Sequence, residues 1–423
     1  MKTSSIWAGR KFTPLWISQS LSALNDNIFR YAFNTALMFG IINIPEGQAK
    51  LWVSLSAAFF ILPYLLFSGL AGQLADKYPK ASLLRINRLI EIFIFGIGSY
   101  ALAVGHVPLL LLSLLLTGTA AAFYSPVKYA ITPELVHQNQ LLSANGAIET
   151  GVYSAILFGT LLGTSVIVSG DAGVIITIAV MLTIAISAWG ISLCVPNVPS
   201  AAPELKIDFH IFRQIWKLMR WGHQDKLRLQ LLLGHAWFWF VGAAVLSQLT
   251  IFVKEDLHSV PELNTLLLAL FALGIGIGSF LCNRLLRSQV SLRYASVSAL
   301  GMAVCCLLLA ILAYANPPNE NILSLSEFLS QTWGWLMLLT VTALSASAGL
   351  YVVPILSLLQ LSAPQDQRAQ LLSLANIWFA IFVILSSVLS AAMIAIGGGA
   401  KDVFAAIGVL TLGVAVLARI CYK

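Results

Sequence analysis

One stretch of the chain, Leu24-Asn25-Asp26-Asn27-Ile28-Phe29-Arg30, places an acid, a base and two carboxamides in an otherwise apolar run. A carboxylate there can hold a cation or a proton, and an arginine can hold a phosphate or neutralise the acid. Asp26 and Arg30 are four residues apart, so a helix puts them on one face and lets them pair. Further charges occur in apolar surroundings at Glu91, Lys128 and Glu149, with Asn145 one turn before Glu149. Charge inside a membrane helix costs free energy and is retained where it faces a polar cavity or a partner. Asp26, Arg30, Glu91, Lys128 and Glu149, with Asn25, Asn27 and Asn145 beside them, therefore read as one charged wall of a binding cavity. The later apolar runs offer only polar groups such as His235, Gln248, Gln360 and Asn376, with Lys254 at an outer end and the aromatic run Trp237-Phe238-Trp239-Phe240 among them. Gln248, Trp237 and Trp239 complete the candidate binding set. A charged wall and an apolar, aromatic wall suit an amphiphile.

The elements that position these residues follow from composition. Of 423 residues, 59% are hydrophobic and 10% charged, where soluble chains carry roughly 25% charge. Lipid must be the main solvent. The chain is expected to be an all-α integral membrane protein of about twelve transmembrane helices, at 14–39, 50–73, 84–105, 108–131, 142–168, 173–195, 229–253, 263–286, 292–314, 332–360, 369–396 and 402–421. Each run of about 20 apolar residues can cross a hydrocarbon core of about 30 Å. Most Lys and Arg residues fall in one set of loops, among them Lys2, Arg10, Lys77, Lys80, Arg85, Arg88, Lys128, Arg284, Arg287 and Lys423, against Lys50, Lys254 and Lys401 in the other. That bias puts both termini in the cytoplasm. It also explains the net charge of +7 as a topology signal and argues against nucleic acid as a partner. The basic N-terminus leads into a full-length first span without a cleavage site, so that span is expected to remain as an anchor. Residues 1–195 and 229–423 form two six-helix halves. Residues 196–228 form a cytoplasmic linker whose Phe209, Phe212 and Trp216, interleaved with Arg213, Lys217 and Arg220, predict an amphipathic helix in the membrane interface.

After the second span comes Gly69-Leu70-Ala71-Gly72-Gln73-Leu74-Ala75-Asp76-Lys77-Tyr78-Pro79-Lys80, then Arg85 and Arg88. Glycine permits close helix approach, and Asp76 can accept hydrogen bonds from a neighbouring helix N-terminus or pair with an arginine. The segment resembles the loop motif of the major facilitator superfamily, with Pro79 where that motif has glycine. The resemblance implies a gating latch of Gly72, Asp76, Lys77, Lys80 and Arg85. The corresponding second-half segment, Gly278 to Arg284, has no acid. The halves also share a weaker pattern, Tyr124-Ser125-Pro126 followed by Leu141-Leu142-Ser143, and Tyr351-Val352-Val353-Pro354 followed by Leu371-Leu372-Ser373.

Asn25-Asp26-Asn27, the Gly72–Arg88 segment, Tyr124 to Tyr129 and Asn145 to Glu149 together resemble the lysophospholipid transporter family of that superfamily. The resemblance covers essentially the whole chain. It implies return of lysophospholipids such as lysophosphatidylethanolamine and lysophosphatidylglycerol from the outer to the inner leaflet of the bacterial inner membrane, by alternating access of the two halves. It further implies a separate acyltransferase as a partner, a monomeric state and no cofactor. Gln248 stands near a position where family members can carry arginine. The alternative within transport is a proton-coupled exporter of a drug or siderophore-like molecule. An enzyme is not expected: the six histidines are scattered, and no Gly-x4-Gly-Lys-(Ser/Thr) motif supplies an ATP site.

Overall fold

A computed structural model describes residues 6–7, 11–45, 48–170, 172–316 and 322–421, apart from the side chains at 50, 54 and 421. Lys2, Arg10 and Lys423, which contribute to the charge bias, lie outside the described residues, as does the side chain of Lys50. Among the described residues the chain is helical, with no strand beyond an isolated bridge between Ser259 and Leu323. The helices are α1 (Thr13–Met38), α2 (Ala49–Lys77), α3 (Lys80–Val104), α4 (Val107–Leu135), α5 (Leu141–Ile167), α6 (Gly173–Ser192), α7 (Ile211–His223), α8 (Lys226–Ile251), α9 (Pro261–Leu285), α10 (Ala295–Ala315), α11 (Leu325–Ser330), α12 (Thr332–Ser362), α13 (Arg368–Ala395) and α14 (Ala400–Cys421). A π-helical turn, Phe252–Asp256, extends α8.

Eleven of these helices are long and apolar enough to cross a membrane. The twelfth expected span, α1, has the length but is too polar on composition alone. It lies antiparallel along α6, with Ser18 Oγ donating to the Ala188 carbonyl (2.9 Å) and Asn25 Nδ2 to the Met181 carbonyl (3.0 Å). Those two bonds keep α1 at the depth of an apolar span. Local signals set the junctions. Gly105, at φ 67°, ends α3 in the left-handed region, and His106 Nδ1 accepts from Leu109 N (3.2 Å) as α4 begins with Pro108 near its start.

The largest departure from the expected boundaries lies around the Gly72–Arg88 segment. It is helical on both sides of a break at Tyr78–Pro79, so Asp76 and Lys77 belong to α2, and Lys80, Arg85 and Arg88 to α3. Lys80 and Arg88, counted above as loop charges, are buried (0% and 1% exposed). Lys128 is likewise inside α4 and buried. Lys80 and Arg88 survive there because acids meet them, as described below.

Two compact units are present. The first comprises Met1–Ala144, Gly151–Leu229 and Leu359–Ala380, and the second Asn145–Thr150, Gln230–Leu358 and Ile381–Lys423. Within the first unit α1 packs on α6, α2 on α4, and α3 on both α4 and α6. Ile28, Phe29, Phe33, Phe95, Leu110 and Leu114 form its apolar core, with the Phe29 and Phe95 rings edge to face at 6.0 Å. Within the second unit α10 packs on α14, and α9 meets α12 through small residues. Lipid tails are as apolar as leucine, so helices in a membrane gain most by close backbone approach. A Cβ on Gly278 would overlap the Ala346 carbonyl, and one on Gly349 would stand 2.6 Å from the Ile275 carbonyl. In the first unit a Cβ on Gly118 would overlap the Phe60 carbonyl in the same manner.

Gly278→Ala and Gly118→Ala are each expected to destabilise the detergent-solubilised protein by about 1–3 kcal/mol, the usual cost of overpacking. Gly96→Ala, where a Cβ meets nothing within 4 Å, should leave it unchanged. Thermal unfolding of the three variants beside the wild type checks this.

Candidate functional site

The first unit gathers charge around α1, α3 and α4. Helical spacing puts Arg88 and Glu91 on one face of α3, where Arg88 Nη1 donates to Glu91 Oε2 at 2.6 Å. The same nitrogen reaches Ser22 Oγ on α1, and Ser22 in turn donates to Glu91 Oε2 at 3.0 Å. The Arg88 guanidinium lies 3.6 Å from the centroid of the Tyr124 ring on α4, a cation–π contact. One turn along α1 from Ser22 comes Asp26, which feels the charges of Glu91, Arg88, Arg30 and Lys128. The structure thus brings Asp26, Arg30, Glu91 and Lys128 together and adds Arg88, Ser22 and Tyr124.

Asp26 and Arg30 do not form the pair that their spacing allows. Arg30 Nη2 donates instead to Asn27 Oδ1 (3.0 Å), and its guanidinium lies over the Tyr31 and Phe60 rings at 5.0 and 5.6 Å. Asn27 Nδ2 bonds back to the Ala23 carbonyl (2.7 Å). Asn25, expected beside Asp26 in the binding set, turns to α6 and is fully buried there. Lys128 Nζ lies 4.3 Å from the Tyr129 ring centroid.

Other candidates belong to the second unit. Glu149 is 1% exposed, on a piece of α5 that approaches α9 closely: a Cβ on Gly146 would stand 2.9 Å from Ser279 Cβ. Asn145 Nδ2 donates to Ser357 Oγ of α12 (2.8 Å). Trp237 stacks on Phe240 at 4.7 Å and meets Phe382 edge-on at 6.4 Å, while Trp239 meets Phe238 at 5.3 Å. Gln248 and His235 are buried on the same helix. Charge also occurs here: Asp256 is buried, accepts from Lys401 N (3.0 Å) and pairs with Lys401 Nζ (3.3 Å). Its position next to Lys254 in an outer loop gave no sign of that partner.

Asp76, expected in the latch, lies at the end of α2. It is fully buried, and its carboxylate accepts from Ala369 N (3.0 Å), Gln370 N (3.1 Å) and Gln370 Nε2 (3.2 Å), so it caps the N-terminus of α13. Gly72 makes the approach possible, since a Cβ there would stand 2.9 Å from both the Ala369 carbonyl and Gln370 Cα. Lys80 Nζ pairs with Glu134 at 3.1 Å, and Arg368 lies 4.0 Å from the same carboxylate. Glu134 and Arg368 also line a cavity of about 320 Å³ with His137, Gln138 and Gln365. Arg85 Nη2 donates to the Val195 carbonyl (2.7 Å) and so holds the segment that follows α6. Lys77 lies over its neighbour Tyr78 at 5.8 Å and joins no ion pair among the described residues. Ser125 Oγ donates to Asn376 Oδ1 (2.9 Å). Each of the two Leu-Leu-Ser segments is thus followed by an asparagine bonded to a serine of another helix.

Arg88, Glu134 and Arg368 are functional candidates that the sequence left outside the set. The Arg88-x-x-Glu91 spacing inside an apolar run was the available signal for the first. Glu134 and Arg368 sit at helix ends and gave none.

The family model for the Major Facilitator Superfamily matches residues 15–325. Among curated proteins the chain is similar to "Lysophospholipid transporter LplT" of Klebsiella pneumoniae subsp. pneumoniae, 27% identical over 81% of this chain and 78% of that protein. The protein of the same name from Photorhabdus laumondii subsp. laumondii is 28% identical over 62% and 63%. Among solved structures it is similar to the human organic anion transporter MFSD10 (TETRAN), with a TM-score of 0.71 at 15% identity over 98% of this chain and 99% of that one. A bacterial homologue of the iron transporter ferroportin in the outward-facing state matches with a TM-score of 0.69 at 15% identity over 97% and 98%.

Removing one member of a buried ion pair strands the other, at a cost of about 3–5 kcal/mol. Glu91→Leu is therefore expected to lower thermal stability sharply, and Arg88→Met/Glu91→Leu to recover most of the loss. A double variant no more stable than the single one would show that the pair is not the source of the effect.

Proposed function

The chain is a member of the major facilitator superfamily and a multi-pass membrane transporter, and from that premise we propose that its substrate is a lysophospholipid. The observation that carries this reading is the charge cluster of the first unit. Two acids, Asp26 and Glu91, stand with three cations, Arg30, Arg88 and Lys128, in a medium where each isolated charge is costly. Glu91 is engaged by Arg88; Asp26 is the acid suited to a cationic amine, and Arg30 and Lys128 are the cations suited to a phosphate. Such a set complements a zwitterionic headgroup. The similarity to proteins named lysophospholipid transporter supports the same choice.

On this reading both termini and the Asp76 latch face the cytoplasmic side of a bacterial inner membrane, a side favoured by the excess of Lys and Arg. Movement is then from outer to inner leaflet, by alternating access of two six-helix halves. The Asp76 cap on the N-terminus of α13 is the contact we assign to gating, and the Lys80–Glu134–Arg368 group lies in the same unit. Glu149 is a further buried acid, in the second unit.

The test is protected uptake of labelled lysophosphatidylethanolamine into proteoliposomes. Asp26→Ala and Lys128→Ala should each lower the initial rate at least about tenfold, the equivalent of about 1.4 kcal/mol. Asn25→Ala, which loses only its bond to α6, should lower stability and leave the apparent substrate affinity unchanged. A well-folded wild type that carries no lysophospholipid but exports a soluble compound down a proton gradient would replace this reading.

Substitution at the latch should act differently. Gly72→Val and Asp76→Ala are expected to slow uptake while substrate still binds, measured as ligand-induced thermal stabilisation equal to that of the wild type.

A further inference from the structure

The linker helix α7 presents three rows of side chains. Gln214, Leu218 and Gly222 are buried. They form the row that rests on α2, where a Cβ on Gly69 would stand 3.4 Å from both Gln214 Cβ and Leu218 Cδ1. On the far side Phe209, Phe212 and Trp216 project with 73%, 79% and 72% of their surface exposed. Between these rows run Arg213, Lys217 and Arg220, and α7 contains no acid. Arg213 and Lys217 reach back to Asp208 yet stay 55% and 60% exposed. The Arg213 guanidinium holds the Asp208 carboxyl far below the usual carboxylate range, so that contact persists at any physiological pH.

The depth of α7 is set by α2. Gly69 lies about 20 residues beyond the start of α2 at Ala49, about 30 Å along the helix axis at 1.5 Å per residue. That length equals the hydrocarbon thickness of a bilayer, about 30 Å. The helix α7 therefore crosses α2 where acyl chains give way to headgroups. It is fastened at that level: the Gln73 side chain exchanges two hydrogen bonds with the Asp208 backbone (2.8 and 3.2 Å), and Ala201 N and Ala202 N donate to the Asp76 carbonyl (3.2 and 2.8 Å).

We infer that α7, with Phe209, is a binding surface for anionic phospholipid. Phe209, Phe212 and Trp216 enter the margin of the acyl region, and Arg213, Lys217 and Arg220 meet the phosphates. The occupant is a lipid surface because the apolar row and the basic row lie side by side at the depth where a bilayer changes from one chemistry to the other. This surface is separate from the charge cluster and does not depend on what the transporter carries.

The experiment is fluorescence quenching on the full chain in nanodiscs. The difference between wild type and Trp216→Phe isolates Trp216 from the other tryptophans. Dibrominated phosphatidylglycerol and dibrominated phosphatidylcholine are compared at equal mole fraction. Trp216 is expected to emit at short wavelength and to be quenched at least about twofold more by the anionic lipid. That excess should fall at high salt and vanish in Arg213→Gln/Lys217→Gln/Arg220→Gln. Equal quenching by both lipids in the wild type overturns anionic recognition. Emission at a water-like wavelength with no quenching by either lipid overturns bilayer contact altogether. Emission at short wavelength without quenching assigns the face to a protein and overturns the proposal too. The two wild-type comparisons decide the matter even where the triple variant fails to fold.

Discussion

A charge removed from water has to be held by something else, and the first unit is arranged around that requirement. Arg88 is stranded from solvent inside an apolar run, and three elements converge on it: Glu91 from its own helix, Ser22 from α1 and the Tyr124 ring from α4. The interactions that solvate Arg88 also fix the spacing of α1, α3 and α4, and hence where Asp26 can lie. Lys80 and Glu134 repeat the pattern nearer the helix ends, joining α3 to α4. Because the partners are side chains on separate helices, satisfying the charges and assembling the helices are one process.

Close backbone approach is the complementary constraint. The hydrophobic effect does not drive helices together inside lipid, so contact area comes from removing side chains where the helices cross. Gly118 serves α2 and α4, and Gly278 with Gly349 serves α9 and α12. Gly72 differs in kind. It brings α2 against the very residues whose amides Asp76 caps, so one missing side chain sets the geometry of a hydrogen-bonded contact.

Much of this was legible in the sequence. Apolar runs of membrane length gave the helices, because bilayer thickness is a strict ruler. Phe209, Phe212 and Trp216 with their basic neighbours gave α7, because an amphipathic face has a period that composition cannot hide. Asp76 was recognisable from its glycine and its flanking bases. What could not be read is which way a side chain turns. Asn25 and Asp26 are adjacent, yet 100° of helical rotation sends one to α6 and leaves the other among charges. Arg30 had an acid within reach and took Asn27. Lys80 and Arg88 were assigned to a loop because bases near a span end usually are loop residues, and only tertiary partners such as Glu134 distinguish the exceptions.

The Asp76 contact has a consequence for timing. One carboxylate accepts three hydrogen bonds from two consecutive residues of α13, so these bonds cannot be released one by one over a long path. As α13 withdraws, a buried anion and two helix-end amides lose their partners together, and only water arriving at the same moment can replace them. Separation of the two helices is thus a hydration event with a threshold. Under the gating role proposed above, solutes that lower water activity would act on the rate of opening and leave the strength of substrate binding the same.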